Sequence, residues 1–217
     1  MEFVLLPLVK PGEGWIAAKC ANSHNIASLS SYLQTIQLGV GTPGGCEAAV
    51  HGTRRFVESI PADHCVVKLD FSNAFNSLHR DVILNAVVEN VPGIYKFCHL
   101  SYSKPSMLVY SGYTIPSCEG PQQGDFIGPL MFCGAIHPLL LSLASKLNLA
   151  YVDDVTLGGP ESQVAQDVET LRRKGEEIGL LLNDNKCEFI SRTAVSVDPA
   201  FRNFVHLSTE EAELLGA

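Results

Sequence analysis

Two adjacent aspartates, Asp153 and Asp154, stand between two short apolar segments of this chain. Residues 147–158 have the pattern of a tight hairpin, which places both carboxylates at its tip. Carboxylates in such apolar surroundings cost stability unless they meet solvent or a cation. A third carboxylate, Asp70, ends the apolar segment 64–70, which predicts a strand. The alternative interpretation is that aspartates simply favour turns and strand ends.

If these two strands are neighbours, their carboxylates form a site for divalent cations. Asp70 and Asp153 then bind Mg2+ (or Mn2+) jointly, because magnesium accepts one or two protein carboxylates and takes its remaining ligands from water and substrate phosphates. Two such ions, about 3.5–4 Å apart, activate a hydroxyl nucleophile and stabilise a departing pyrophosphate. A divalent cation is therefore the cofactor that these residues predict.

The rest of the chain mixes helical and extended patterns without regular alternation. Such a mixture favours an α+β fold, an antiparallel sheet with helices packed on one face, over a doubly wound fold. We expect residues 1–20 to be irregular and residues 192–217 to form a weakly structured tail. Apolar periodicity predicts helices at 22–38, 46–60, 79–90, 92–103, 126–146 and 163–178, a hairpin at 107–118 and a final strand at 186–191.

Composition excludes several classes of protein. No apolar stretch approaches the ~20 residues that cross a bilayer, and the first residues lack a basic signal-peptide segment, so we expect no membrane segment and no secretion. Seven cysteines without a C-x-x-C pair argue against a disulfide framework or a zinc site and indicate an intracellular location, in the nucleus or cytoplasm. The net charge of −8 is unusual for an enzyme that binds nucleic acid.

Four segments occur in an order that resembles a known family. LDFSNAFNSLHRD (69–81), PQQGDFIGPLMF (121–132), AYVDDVTLGG (150–159) and GLLLNDNKCEFI (179–190) resemble motifs A, B, C and D of reverse transcriptases, most closely those of non-LTR retrotransposons. QLGVGTPGGCEAAVHGTRRF (37–56) resembles the stretch that precedes the palm in such elements. A lone YVDD tetrapeptide is weak evidence, whereas four ordered motifs are specific.

The resemblance implies an RNA-directed DNA polymerase built on a palm-type sheet with partial fingers. Residues 1–60 would form partial fingers and the lead-in, 61–191 the palm, and 192–217 a C-terminal tail. The implied reaction is nucleotidyl transfer from a deoxynucleoside triphosphate to a primer 3′-hydroxyl, with an RNA template and a DNA primer as partners.

The resemblance also assigns roles to the residues of motifs A and C. Asp70 and Asp153 match the metal-binding aspartates, Asp154 matches the second acidic position of motif C, and Phe71 would offer a backbone carbonyl to a metal. Phe75 matches the bulky position that obstructs a 2′-hydroxyl. A core aromatic side chain on a short turn is the alternative for Phe75.

Motifs B and D supply the other expected contacts with the nucleotide. Gln123 and Gly124 match the start of motif B, where glycine lets the backbone approach nucleotide and template, and Gly128 would continue that surface. Lys186 matches the motif D lysine, a candidate acid for pyrophosphate. A loop glycine and a solvated lysine are the alternatives for Gly124 and Lys186.

Three further side chains are candidates for contacts with primer or template. Tyr151 lies beside the motif C aspartates and would touch the primer. Arg54 and Arg55, with His51 on the same predicted helix, would contact template phosphates. A solvated helix face explains the basic residues equally well.

The sequence departs from the family pattern near its start. Relatives carry a basic fingers hairpin where this chain has KPGEGWI (10–16), and the resemblance begins near Ile16. We also expect no room for a thumb after residue 190. The isolated chain is therefore expected to polymerise weakly or not at all, with other polypeptide segments supplying fingers and thumb. The alternatives are a catalytically inactive remnant that binds nucleic acid or protein, and a magnesium-dependent hydrolase with an Asp-Asp pair.

Overall fold

The computed structural model of the chain describes residues 13–213. Seven α-helices and seven strands are assigned in this part of the chain, and three 3-10 turns lie at 92–94, 184–186 and 199–201. The helices are α1 (Glu13–Leu33), α2 (Gly45–Glu58), α3 (Ala74–Ser77), α4 (Arg80–Asn90), α5 (Tyr95–Tyr102), α6 (Gly128–Leu141) and α7 (Glu161–Glu177). The strands are β1 (His64–Leu69), β2 (Ser106–Tyr110), β3 (Tyr113–Ser117), β4 (Leu147–Tyr151), β5 (Asp154–Pro160), β6 (Glu188–Ser191) and β7 (Val205–Ser208).

A five-stranded sheet in the order β4-β5-β1-β6-β7 forms the centre of the fold. All neighbouring strands are antiparallel except β6 and β7. β1 pairs with β5 in a register that sets Leu69 opposite Val155. This register brings the end of β1, where Asp70 follows, next to the start of β5 at Asp154. The predicted neighbourhood of the two strands is therefore confirmed.

The two faces of β1 pack differently, as its alternating sequence predicts. Cys65, Val67 and Leu69 belong to the main core, which α4, α6 and α7 cover. Val66 points to the other face, where it packs in a smaller cluster with Ile190 and the partly buried Phe56 of α2. The α+β class with helices on the main face of a mostly antiparallel sheet is confirmed, and α2 covers part of the second face.

Both predicted limits of the N-terminal helix were wrong. The helix starts earlier than residue 22, because α1 begins at Glu13, and residues 1–12 lie outside the described part. It also ends earlier than residue 38. The chain leaves α1 after Leu33, and Gln37 then forms a parallel bridge with Ala150 of β4.

The long helix predicted at 126–146 is shorter, since α6 ends at Leu141. Buried Asp167 accepts hydrogen bonds from the backbone N–H groups of Ala144 (3.0 Å) and Ser145 (2.7 Å). These bonds satisfy backbone donors in a turn and stop the helix from continuing. No described helix is long and apolar enough to span a membrane.

The expectation of a weakly structured tail at 192–217 was wrong for its described part. β7 adds a parallel strand to β6, and the Phe201 ring packs 4.9 Å from the Phe189 ring in the core. Phe204 is buried as well. Apolar side chains at these positions supply the burial that orders the segment. The strand predicted at 186–191 is therefore not the final one, and it begins later than predicted, at Glu188, because Lys186 ends a 3-10 turn.

Candidate active site

An open cleft of about 880 Å³ lies where the ends of β1 and β4–β5 meet the segment after α7. Six of the predicted site residues line this cleft. They come from four separate sequence motifs, which the fold brings together at one place. The six are Asp70, Phe71, Phe75, Gln123, Asp153 and Lys186.

Backbone pairing between motif A and motif D places Lys186 at the cleft. Ser72 N–H donates to Leu181 O, and Asn183 N–H donates to Asp70 O, both at 2.8 Å. Phe71 forms an antiparallel bridge with Leu182 in the same stretch. Lys186 follows in the 3-10 turn, so its position depends on pairing that the sequence pattern of a single strand did not indicate.

Asp153 and Asp70 act electrostatically on the third aspartate, Asp154. Burial raises the pKa of the Asp154 carboxyl, the charges of Asp153 and Asp70 raise it further, and Lys68 lowers it in part. Like charges in proximity favour the protonated form of a carboxyl. The opposing influence of Lys68 is limited, because its ammonium also pairs with Glu188 at 2.9 Å.

A divalent cation suits this donor set. Asp70 and Asp153 offer hard oxygen ligands to the same cleft, and a cation would relieve the repulsion that raises the pKa of Asp154. Among residues 13–213, no group of three or more His, Cys, Asp or Glu side chains forms a complete metal site. Magnesium needs no such group, since it keeps several waters and uses substrate phosphates.

Phe75 forms part of the floor of the cleft and is also anchored in the core. Its ring stacks 5.6 Å from the Phe132 ring at an angle of 29°. A Cβ added to Gly128 would lie 2.9 Å from Phe75 Cζ, so the lack of a side chain at Gly128 leaves the space that this ring occupies. Phe75 therefore lines the cleft and also packs in the core, and its role against a 2′-hydroxyl stays a prediction; buried Gly128 lies behind Phe75 rather than on the cleft surface.

Gly124 and Gln123 lie on the motif B loop, which we define as residues 120–127. Gly124 has φ of +84°, a conformation that favours glycine. Gln123 faces the cleft, and Gly124 lines an adjoining depression that shares Phe75 and Gln123 with it. The approach of this backbone to nucleotide and template stays a prediction.

Sequence reasoning missed the buried residue Arg80, which holds the motif B loop from behind. Its guanidinium donates to Gly120 O, Lys104 O and Ser117 Oγ, each at 3.1 Å. The same group lies 5.3 Å from the centre of the Tyr102 ring. A solvated helix start is the usual interpretation of the pattern His-Arg-Asp, so only the three-dimensional fold reveals this role.

Tyr102 and Asp125 complete the support of the loop. The Tyr102 hydroxyl donates to the Asp125 carboxylate and accepts from Gln122 N–H at 3.2 Å. Asp125 also accepts from Ile127 N–H at 3.1 Å, which fixes the turn before α6. Burial and the charge of Asp125 raise the pKa of Tyr102, so its hydroxyl stays protonated as a donor.

Three predicted contacts lie outside the cleft. Tyr151 is partly buried and pairs with Asp154 at the end of the hairpin. Arg54 and Arg55 are exposed on α2, and Arg54 lines a separate depression of about 420 Å³ together with Lys68 and Arg192. Their roles with primer and template stay predictions.

Known proteins resemble this chain over most of its length. Residues 16–217 match the family described as reverse transcriptase (RNA-dependent DNA polymerase). The chain belongs to the reverse transcriptase family. The match starts at Ile16, where the resemblance was expected to begin.

A retrotransposon protein is among the similar sequences. The retrotransposable element SLACS 132 kDa protein of Trypanosoma brucei gambiense is 25% identical over 189 residues. The aligned region covers 82% of this chain and 16% of that protein, so the chain spans a small part of its relative. With the family match, this similarity confirms a reverse transcriptase domain of the non-LTR retrotransposon type.

Telomerases are among the solved structures with similar folds. Apo telomerase from Candida tropicalis has a TM-score of 0.62 at 10% identity, covering 82% of this chain and 37% of that one. Telomerase from Candida albicans in complex with the TWJ fragment of telomeric RNA has a TM-score of 0.55 at 13% identity, covering 87% and 35%. These similarities confirm the predicted fold.

Proposed function

We propose that this reverse transcriptase domain carries the polymerase active site in the cleft around Asp70 and Asp153. The proposed reaction joins a deoxynucleoside triphosphate to the 3′-hydroxyl of a DNA primer on an RNA template. The observation that carries the proposal is the convergence of Asp70, Phe75, Gln123, Asp153 and Lys186 on one cleft.

Asp70 and Asp153, with the Phe71 carbonyl, would hold Mg2+ or Mn2+, and Asp154 would add negative charge beside them. Bound ions of this kind polarise phosphate oxygens and activate a hydroxyl nucleophile. The carboxylates supply the oxygen ligands, and a cation there would offset the repulsion between Asp154 and the charges of Asp153 and Asp70.

The other side chains of the cleft would position the nucleotide. The Phe75 ring, fixed by Phe132 and Gly128, would exclude a 2′-hydroxyl by its bulk. Gln123 and the open backbone of Gly124 would contact the base and sugar. Lys186 would donate a proton to the departing pyrophosphate, a general-acid role that depends on its place beside Asp70.

RNA template and DNA primer are the proposed partners, and α2 is their proposed contact outside the cleft. Arg54 and Arg55 are exposed there, and Arg192 lines the same depression as Arg54, together with Glu58 and Glu213. Single exposed arginines can contact phosphates despite the net charge of −8. Additional polypeptide segments would supply fingers and thumb.

A comparison of two aspartate variants tests the proposal. Mn2+ binding is measured by electron paramagnetic resonance, and primer extension is measured on an RNA template with Mg2+. We expect Asp153→Asn to weaken Mn2+ binding by about tenfold or more and to abolish any extension. Asp63→Asn is the matched control, because exposed Asp63 precedes β1 at the end away from the cleft.

Two outcomes would contradict the polymerase proposal. One is equal Mn2+ affinity of the unsubstituted chain and Asp153→Asn. The other is extension that persists in Asp153→Asn. The absence of Mn2+ binding in the unsubstituted chain would favour the inactive remnant, which binds nucleic acid or protein without catalysis.

We also propose an intracellular location, in the nucleus or cytoplasm. All seven cysteines are free thiols, and Cys65, Cys98, Cys133 and Cys187 are buried. Free thiols are typical of a reducing compartment. A tagged chain found in the culture medium of expressing cells would contradict this location.

A further inference from the structure

A fully buried glutamine holds the turn that carries the aspartates. We define the aspartate turn as residues 151–154. Gln37 Nε2 donates to Val152 O at 2.9 Å, and its Oε1 accepts from Val152 N–H at 2.8 Å. The same Oε1 accepts from Gly39 N–H at 3.1 Å. One amide therefore satisfies both backbone groups of Val152, the second residue in the turn.

Val152 needs such support because its backbone conformation is unfavourable. It has φ of +58° at the first position of the two-residue connection between β4 and β5. Hairpin connections of this length require positive φ there, which glycine adopts without steric cost. A β-branched side chain in this region is an outlier that the surroundings must enforce.

The segment that carries Gln37 is itself fixed against β4. Leu38 N–H donates to Ala150 O at 2.7 Å, and Ala150 N–H donates to Ile36 O at 2.8 Å. A Cβ added to Gly39 would lie 2.6 Å from Val152 N, so this glycine permits the close approach. The whole arrangement places an uncharged amide behind the aspartates at a fixed distance.

We propose that Gln37 is a positioning residue that fixes the backbone of the aspartate turn and thereby the direction of the Asp153 carboxylate. The importance of this direction for a bound cation rests on the proposed function. The conformation itself does not. Gln37 contacts Val152 rather than the cleft, so its influence passes through the turn backbone.

Amide hydrogen exchange measured by NMR tests the proposal on the full chain. Gln37→Met keeps the approximate length and volume of the side chain but removes its amide. In this variant we expect amide exchange at Val152 to become at least about tenfold faster. Leu157, in the centre of β5, should keep its protection. Gln163→Met is the matched control, since Gln163 donates to Asp167 at 3.3 Å on α7, away from the turn.

Three outcomes, two from exchange and one from cross-relaxation, overturn the proposal. The first is an unchanged exchange rate at Val152 in Gln37→Met. The second is an equal loss of protection at Val152 and Leu157, which would make Gln37 an ordinary core residue. The third applies if Gln37→Met does not fold: in the unsubstituted chain, the absence of cross-relaxation between the Gln37 side-chain amide protons and the Val152 amide proton would rule out the contact.

Mn2+ affinity separates this inference from the proposed function. If both hold, Gln37→Met weakens Mn2+ binding by about tenfold while Gln163→Met does not. If the unsubstituted chain binds no Mn2+, the proposed function fails, and the exchange result alone decides the inference. Faster exchange at Val152 with unchanged Mn2+ affinity would overturn the positioning role while leaving the polymerase site intact.

Discussion

The aspartate turn and the motif B loop form two walls of one cleft, and each is held from behind by a buried polar side chain of different charge. Gln37 satisfies the turn with a neutral amide, whereas Arg80 satisfies the loop with a guanidinium. A guanidinium near the aspartates would pair with them and compete with a cation. The neutral Gln37 amide leaves the carboxylates available to a cation in the cleft. The cationic Arg80 contacts the motif B loop instead.

Removal of the Arg80 guanidinium should have the largest effect on stability. Arg80→Met keeps most of the side-chain volume but leaves Gly120 O, Lys104 O and Ser117 Oγ without their donor. We expect a loss of about 3 kcal/mol in the free energy of unfolding, because unsatisfied buried acceptors retain their desolvation cost. Urea unfolding followed by circular dichroism measures this change.

Arg172→Met is the control for the loss of an arginine. Arg172 pairs with Asp184 at 2.8 Å on a partly exposed surface. Its loss should cost less than about 1 kcal/mol, as is usual for exposed ion pairs. If both variants lost equal stability, the buried guanidinium would have no special part in holding the motif B loop, and the contrast between the two walls would fail.

A substitution that crowds the segment carrying Gln37 should have an intermediate effect on stability. Gly39→Ala places a Cβ 2.6 Å from Val152 N, which forces the segment at Gln37 away from the turn. We expect a loss of about 2 kcal/mol from overpacking. Thermal and urea unfolding measure the loss, and faster amide exchange at Val152 would locate it.

Gly52→Ala should act in the opposite direction. A Cβ on Gly52 of α2 would meet only Leu149 Cδ1 at an ordinary contact distance of 3.6 Å. Alanine is favoured over glycine in a helix, so we expect a gain of about 0.5–1 kcal/mol. If Gly39→Ala were stabilising like Gly52→Ala, the segment that carries Gln37 would have room to move, and its close packing against Val152 would not hold.

Sequence patterns predicted the elements that depend on local periodicity. The alternation in β1, the hairpin at Asp153-Asp154 and the amphipathic helix α7 are all found near the predicted limits. The ordered motifs also predicted six residues that line the cleft, whereas Asp154, Gly124 and Gly128 do not line it. In these cases the apolar pattern of each segment agrees with its final environment.

Supports from distant segments were not predictable in this way. Gln37 lies 115 positions before Val152, and Arg80 lies 40 positions before Gly120. A polar residue in a breaker-rich segment or at a helix start is most often solvated, so local pattern gives no sign of burial. Likewise, the order of residues 199–208 depends on pairing with β6 and on the Phe189 ring.

The smallest expected loss of stability among the variants at the two walls concerns the Tyr102 hydroxyl, which bonds to Asp125 and Gln122 of the motif B loop. Tyr102→Phe removes the donor to Asp125 and the acceptor for Gln122 N–H without changing the core packing of the ring. We expect a loss of about 1 kcal/mol together with faster amide exchange at Gln122. Tyr95→Phe is the control, because partly buried Tyr95 makes a ring contact with His99 and should change stability by less than about 0.5 kcal/mol. Exchange at Val152 should stay the same in Tyr102→Phe, since the aspartate turn depends on Gln37 instead. A change at Val152 would mean that the two walls are coupled and that a single network, rather than two separate supports, shapes the cleft.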